Sequence, residues 1–318
     1  MRRVATLVLV VAGCVACAPA DPDAPGVVVR PAPAPEQVRT TPPPVAAPAP
    51  TPSPTTAPPS GTGTGGPPAH VAFVLPATGA FDYQLGGASP LPDGVRVVVR
   101  DSRDRPDPAA VSICYVNGFQ SQPGESGRWL DLDVVLRDGA GRPVADPGWP
   151  DELLLDPTTP ERRARIVAEL GSDLRRCADA GFVAVELDNL DSWTRSEGRV
   201  TMQDALALAT DLVAAAHGLG LAVAQKNAAE LGTAGRDQAG FDFAVTEECL
   251  LWDECAAYTQ VYGDLVLDVE YTDDLPGTVE DVCAASPARG ERPSLTIVRD
   301  RDLVPEGSPD RFFLACPR

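Results

Sequence analysis

Histidine is scarce in this chain: two residues in 318, His70 and His217. There are eight cysteines; Cys14 and Cys17, near the start of the chain, stand as Cys-x-x-Cys, but no two of the other six do. A second pair of ligands at zinc-binding spacing is therefore missing, and no metal or other cofactor is expected. Bases are outnumbered, 26 Lys and Arg against 45 Asp and Glu, a net charge of −19. Such a chain is a poor partner for nucleic acid. No glycine-rich dinucleotide fingerprint follows the first strand-like run, which argues against a Rossmann domain. The apolar stretch Val4 to Val11 is too short to span a bilayer as a helix.

That stretch follows Arg2 and Arg3 and closes on Val11-Ala12-Gly13-Cys14. A charged start, a short apolar run and a small-residue site before Cys describe a lipoprotein-type signal over residues 1–14, with Cys14 the lipidated residue. An ordinary secretory signal cut near Ala18 is the alternative. Either implies export, to a lipid anchor on the outer face of a bacterial membrane or to the medium. Residues 15–69 read as a Pro/Ala/Thr-rich disordered linker, since 17 of the 34 prolines fall between residues 18 and 68. At roughly 3 Å per residue it reaches on the order of 150 Å. Residues 1–69 hold four Arg and three acids, leaving 22 bases and 42 acids, net −20, for residues 70–318. Solubility explains such acidity; attraction of a cationic substrate also does. A monomer is the expectation.

Six further cysteines in an exported domain suggest disulfides. They allow fifteen connectivities. Cys249 with Cys255 closes a short local loop, Cys283 with Cys316 ties down the C-terminus, and Cys114 with Cys177 is what remains.

Residues 70–318 contain eight short strand-like runs, starting at Phe81, Val95, Val111, Phe182, Leu221, Phe241, Leu265 and Leu295. Most are unbroken apolar runs, as in parallel strands buried on both faces. Helical patterns lie between several: Thr159 to about Ala180, Thr201 to about Gly218, and Gly277 to Ala285. There is no room for a helix between the first two strands. An α/β fold is expected, a (β/α)8 TIM-type barrel with some outer helices shortened or missing; an open doubly wound sheet is the alternative. Residues 117–156 read as one long non-helical loop at the catalytic end of the third strand, carrying Trp129 and Trp149.

Two strands end in acids: Val183-Ala-Val-Glu186-Leu-Asp188-Asn189-Leu-Asp191, and Phe241-Asp242-Phe-Ala-Val-Thr-Glu247-Glu248-Cys249. In a parallel barrel the C-terminal strand ends converge on one mouth. Two carboxylates facing each other there are the equipment for glycosidic cleavage. Acids after strands also cap helices and anchor loops, and for Asp191 and Glu248 that role or substrate contact is favoured over direct catalysis. Asp242 reads as lying inside its strand, a structural barrel acid. His217 reads as structural.

The motifs together resemble glycoside hydrolase family 114, the endo-α-1,4-polygalactosaminidases. The resemblance rests on Tyr83-Gln84-Leu85, Ile113-Cys114-Tyr115, Gly148-Trp149-Pro150 with Leu155-Asp156, and the segment Val185 to Asp191. Lys226-Asn227, Phe241 to Val245 with Glu247 and Cys249, Cys255, and Val269-Glu270-Tyr271 complete it. It implies a barrel that cuts α-1,4-linked galactosamine polymers internally, with Asp188 and Glu247 as the catalytic pair. The chain departs from the family at Val116 to Phe119, at Asp264 in place of a frequent Lys, and at Phe81 in place of Trp.

On this reading Asp188 is the ionised nucleophile, kept charged by Asn189 and Lys226, and Glu247 the general acid/base; the two roles are interchangeable at this level. Retention is the expected outcome. Candidate substrate contacts are Tyr83, Asp101, Tyr115, Trp149, Glu186, Asn189, Asp191, Lys226, Asn227, Glu248, Glu270 and Tyr271, with Asp82 as a further acid for sugar amino groups. The expected partner is a cationic or partly acetylated aminosugar polysaccharide. A non-catalytic glycan-binding barrel and a hydrolase of another aminosugar polymer are the competing readings.

Overall fold

A computed structural model describes residues 70–318; the signal segment with Cys14 and the linker lie outside the described residues. Nine strands form one sheet in sequence order. They are β1 (Ala80–Gln84), β2 (Val95–Asp101), β3 (Val111–Asn117), β4 (Ala184–Asp188), β5 (Ala222–Lys226), β6 (Phe243–Glu247), β7 (Val266–Tyr271), β8 (Leu295–Arg299) and β9 (Phe313–Ala315). The first eight pair in parallel with their neighbours, while β9, absent from the expected set, returns antiparallel along β8. The sheet curls into a nearly closed TIM-type barrel. Arg299 on β8 bridges the seam, with Nη1 2.7 Å from Asp82 Oδ1 on β1 and a second hydrogen bond to Tyr83 O.

Among the described residues five α-helices accompany the strands: α1 (Ser126–Asp131), α2 (Pro160–Ala180), α3 (Met202–His217), α4 (Cys255–Tyr262) and α5 (Val279–Ala284). Local chemistry sets their ends. Thr159 caps α2 ahead of Pro160, and Gly181, at φ 98°, closes it with left-handed backbone. Thr201 and Asp204 form a reciprocal capping box on α3, as Thr278 and Asp281 do on α5. Two differences from the sequence reading concern helices. The 117–156 loop is not helix-free, because α1 buries Trp129 beneath it; isolated antiparallel bridges, Gln120 with Leu154 and Val135 with Leu155, fold the rest. And α4 was not anticipated, its eight residues being too short for a clear 3.6-residue pattern. Among the described residues no helix is long and apolar enough to cross a membrane.

Two apolar cores result. One fills the barrel with Phe81, Val97, Ile113, Ala184, Ala224, Phe243, Leu267 and Ile297. The other packs α2 and α3 against the outside of the sheet through Leu170, Leu174, Leu208 and Leu212. Three disulfides join the layers in the expected pairing: Cys114–Cys177, Cys249–Cys255 and Cys283–Cys316. Asp242 lies just before β6, not inside it. It accepts from His217 Nε2 at 2.8 Å and from Val223 N at 2.8 Å, a structural clamp for both residues.

Candidate active site

Side chains alternate along a strand, so every second residue faces the barrel interior. Ala184, Glu186 and Asp188 form such a row on β4, Ala222, Ala224 and Lys226 on β5, Phe243, Val245 and Glu247 on β6, and Leu267, Val269 and Tyr271 on β7. The lower members belong to the barrel core. The upper members are the last residues of their strands. Four consecutive strands therefore end on Asp188, Lys226, Glu247 and Tyr271, all at the mouth.

Lys226 is the chain's only lysine; the other 25 bases are arginines. Its side chain is 2% exposed, and Nζ lies 3.0 Å from Glu186 Oε1, 3.1 Å from Asp188 Oδ1 and 3.3 Å from Glu247 Oε2. It also donates to the Tyr83 hydroxyl at 3.0 Å. A buried ammonium is costly unless its lost hydration is replaced, and three carboxylates replace it here. A compact ammonium suits three oxygens in different directions better than a planar guanidinium does. Small Ala184, Ala222 and Ala224 beneath leave room for Glu186 and Lys226.

Three tyrosines complete the wall. Tyr83 donates to Glu186 Oε1 at 2.6 Å, Tyr115 to Asp188 Oδ2 at 2.5 Å, and Tyr271 to Glu247 Oε1 at 2.5 Å. Burial, reinforced by these carboxylates, raises all three phenols well above the usual tyrosine range, so they remain donors. Burial lowers Lys226, but the surrounding anions outweigh it and keep the ammonium protonated. Burial alone raises the Asp188 carboxyl. Lys226, the Tyr115 hydroxyl and the Asn189 backbone N–H overcome it and hold the group below the ordinary carboxylate range. Glu186 goes the other way: desolvation, opposed by Lys226 and aided by Asp188, pushes it up to about 7. Two carboxyls on one strand are thus shifted in opposite directions, a signature of functional sites.

The chain turns sharply after each of the three central residues. Asn189, Asn227 and Glu248 follow Asp188, Lys226 and Glu247, with φ of 63°, 49° and 58°. Asn tolerates this left-handed region; for Glu it carries strain, a feature that concentrates at functional sites. Asn227 uses its turn to grip Glu247, donating from Nδ2 to Oε2 at 3.1 Å and accepting Glu247 N–H at 2.9 Å.

The structure brings Tyr83, Tyr115, Glu186, Lys226, Asn227 and Tyr271 together around Asp188 and Glu247. Asn189 supports Asp188 through its backbone only; its side chain donates to Asn117 Oδ1 and accepts from Arg195. Asp191 is forked by Arg195. Glu248 turns to Arg301, 2.5 Å away, whose guanidinium stacks on Tyr271 at 4.5 Å. Asp101 accepts from Arg103 N at the end of β2. Trp149 is 65% exposed on the loop after β3. Asp82 and Glu270 are both fully buried and do not reach the mouth: Asp82 is taken up by Arg299 and Arg311 at the seam, and Glu270 lies on the outward face of β7.

Sequence reasoning gave no role to Asn117, Glu152 or Arg195. Asn117 Nδ2 donates to Glu152 Oε2 at 2.9 Å, and its Oδ1 joins it to Asn189. Burial pushes Glu152 up to about 7, with Asn117 opposing and the Asp188 charge adding to the rise. Arg195 spans Asp146, Asp191 and Asn189. Asn117 alone carried a sequence signal, as the last residue of its strand. Cys249, Cys255 and Asp268 lie close enough to suggest metal ligands, but the two cysteines form a disulfide, which takes both sulfurs out of such a role.

The sequence profile of glycoside-hydrolase family GH114 matches residues 64–318. Among curated proteins none matches the chain. The fold is similar to that of Ega3 from Aspergillus fumigatus, solved in complex with galactosamine: TM-score 0.59, 18% identity, covering 75% of this chain and 95% of that one. It is also similar to the glycoside hydrolase domain of PelA from Pseudomonas aeruginosa: TM-score 0.50, 16% identity, covering 76% of this chain and 100% of that one.

Proposed function

The chain belongs to glycoside hydrolase family 114 and is a glycosidase, and on that premise we propose that it cuts α-1,4-linked galactosamine polymers internally, with Asp188 as nucleophile, Glu247 as acid/base and retention of configuration. The carrying observation is the shared ammonium. Asp188 Oδ1 and Glu247 Oε2 lie 3.1 and 3.3 Å from Lys226 Nζ, so these two oxygens stand no further apart than the sum, about 6.4 Å, a bound that accommodates the ~5 Å of retaining enzymes.

Asp188, held ionised, attacks the anomeric carbon while Glu247 protonates the leaving oxygen. Forming the glycosyl ester removes the Asp188 charge. Lys226 is then shared between Glu247 and Glu186 only, which suits the ionised form of Glu247 that takes a proton from water. The substrate class is supported by the acidic mouth, by the net charge of −20 over residues 70–318, and by the galactosamine bound to Ega3. Trp149 and Trp252, 65% and 38% exposed, stand on the loops after β3 and β6. Both loops are tied down: the Trp149 backbone N–H bonds Asp146 Oδ1, and the Cys249–Cys255 disulfide closes the loop of Trp252. They suit stacking on sugar rings on either side of the cut. The N-terminal motif supports export and a lipid anchor at Cys14, and the enzyme acts as a monomer. The test is reducing-end release across α-1,4-galactosaminan at several degrees of acetylation, beside other aminosugar polymers. Cleavage of the others in preference to galactosaminan overturns the substrate assignment.

A further inference from the structure

The three backbone N–H groups that follow Glu247 are all handed to β7. Glu248 N donates to Val269 O at 2.8 Å, Cys249 N to Asp268 Oδ1 at 3.4 Å, and Leu250 N to Glu270 Oε1 at 2.8 Å. Thr246, just before Glu247, donates its hydroxyl to Asp268 Oδ1 at 2.9 Å. The chain is thus fastened to two acids on the outer face of the barrel, through the Thr246 hydroxyl before Glu247 and through backbone N–H groups after it, and both acids are completely buried.

Their other oxygens, Asp268 Oδ2 and Glu270 Oε2, have no partner among the described hydrogen bonds. An unsatisfied buried carboxylate oxygen is expensive, and two side by side are more so. The side chains of Asp268 and Glu270 are within hydrogen-bonding reach of each other. One proton between them satisfies both orphaned oxygens.

Among the described residues no cation bonds the pair. Arg292, before β8, spends its donors on the carbonyls of Ala285, Pro293 and Pro317. Glu248, on the loop itself, is taken by Arg301. On α4, Tyr258 feels the Asp268 charge, and Glu254 stands at the helix N-cap. Thr246 of β6 and Thr296 of β8 contribute neutral hydroxyls, and α5 presents Val282 and the Cys283–Cys316 disulfide.

We propose that Asp268 and Glu270 form a positioning pair for the acid/base loop: one shared proton joins the two carboxyls, and in that state they hold the backbone that presents Glu247. The pair does not touch substrate; it acts through Glu247, and its catalytic consequence rests on the function proposed above. Loss of the proton leaves two adjacent anions in an apolar wall. Their repulsion strains the grip on Cys249 and Leu250 and displaces Glu247. Desolvation, then the Asp268 charge, raises Glu270 to about 9; desolvation, opposed by Thr246, raises Asp268 to about 7. Both groups hold protons more tightly folded than unfolded. Their contribution to stability is therefore full below the ordinary carboxylate range and is lost as pH rises through those folded values.

The test uses the full chain with Glu270→Gln and Asp268→Asn, isosteric changes whose amide N–H2 donates across the pair at every pH. Thermal unfolding and tryptophan emission, to which Trp252 in the held loop contributes, are followed from about pH 6 to about pH 10. Neither needs a substrate. kcat and KM on α-1,4-galactosaminan are measured beside them. The parent is expected to lose Tm and change emission over the alkaline range, and each variant to lose much less. The kcat of each variant at about pH 10, relative to its own value at about pH 6, is expected to exceed the parent's ratio at least tenfold, with KM following the parent. Variants that track the parent in Tm and emission at all pH overturn the proposal. Expected curves with no cleavage by the parent leave the pair standing and sink the substrate assignment. Should a variant not fold, the parent's infrared spectrum decides: a protonated-carboxyl band that persists at about pH 8, above the range in which Glu152 and Glu186 titrate, and is lost at about pH 10 supports the pair, and its absence at about pH 8 overturns it.

Discussion

Asn227 holds Glu247 at two points, one on the carboxylate and one on the backbone, with contacts of 3.1 and 2.9 Å. No other described side chain fixes both the position of that strand end and the orientation of its carboxyl. Asn227→Ala frees both contacts. A misplacement of about 1 Å at a catalytic group costs on the order of 10²-fold in rate. We therefore expect kcat to fall by about that factor with KM little changed and Tm lowered by only a few °C. Steady-state kinetics with a thermal melt checks this; a proportional loss of folded protein explains the effect away.

Lys226 offers a harsher test. Lys226→Met leaves three carboxylates around an uncharged side chain, and removing one partner of a buried ion pair costs about 3–5 kcal/mol. The variant is expected to melt far earlier at neutral pH and to recover part of its stability in acid, where the carboxyls protonate. Lys226→Arg is not expected to rescue kcat, since the fork does not fit the three-oxygen pocket. Parent-like turnover in the Arg variant removes the hub from the account.

Trp149→Ala and Trp252→Ala each delete an exposed ring on a fixed loop. If each stacks on a sugar, about 1 kcal/mol of binding is lost per ring. KM is expected to rise about fivefold for long chains and hardly at all for the shortest cleavable oligosaccharide, with kcat on that oligosaccharide kept. Equal effects at all chain lengths contradict outer subsites.

Salt separates the two forms of substrate. A net charge of −20 over residues 70–318 attracts a deacetylated, cationic polymer, and that attraction weakens as the Debye length shrinks. kcat/KM is expected to fall several-fold between about 10 mM and about 0.5 M salt on deacetylated chains and to stay nearly flat on acetylated ones. A flat response on both discards electrostatic steering.

Much of this was legible in the residues. Eight apolar runs located the eight barrel strands to within two or three residues, because a strand buried on both faces leaves an unmistakable composition. Parity was the unused signal. In Val269-Glu270-Tyr271, only one of Glu270 and Tyr271 can face the interior, and Glu186 and Asp188 share a face because they are two apart. The solitary lysine was a second one: among 25 arginines, a single Lys marks a place where a point charge is wanted. Glu152 and Arg195 were less accessible. They meet the site through the folded 117–156 loop and the turn after β4, contacts set by tertiary packing with no spacing to betray them.

The central claim is that Asp188 and Glu247 together cut a galactosamine polymer. The most direct measurement incubates the full chain, Asp188→Asn and Glu247→Gln with partially deacetylated α-1,4-galactosaminan and follows oligosaccharide release by mass spectrometry. The account predicts internal cleavage products from the parent and at least about 10²-fold slower release from either variant, all three folded alike. Release by a folded variant at the parent's rate, or none from the parent, contradicts it.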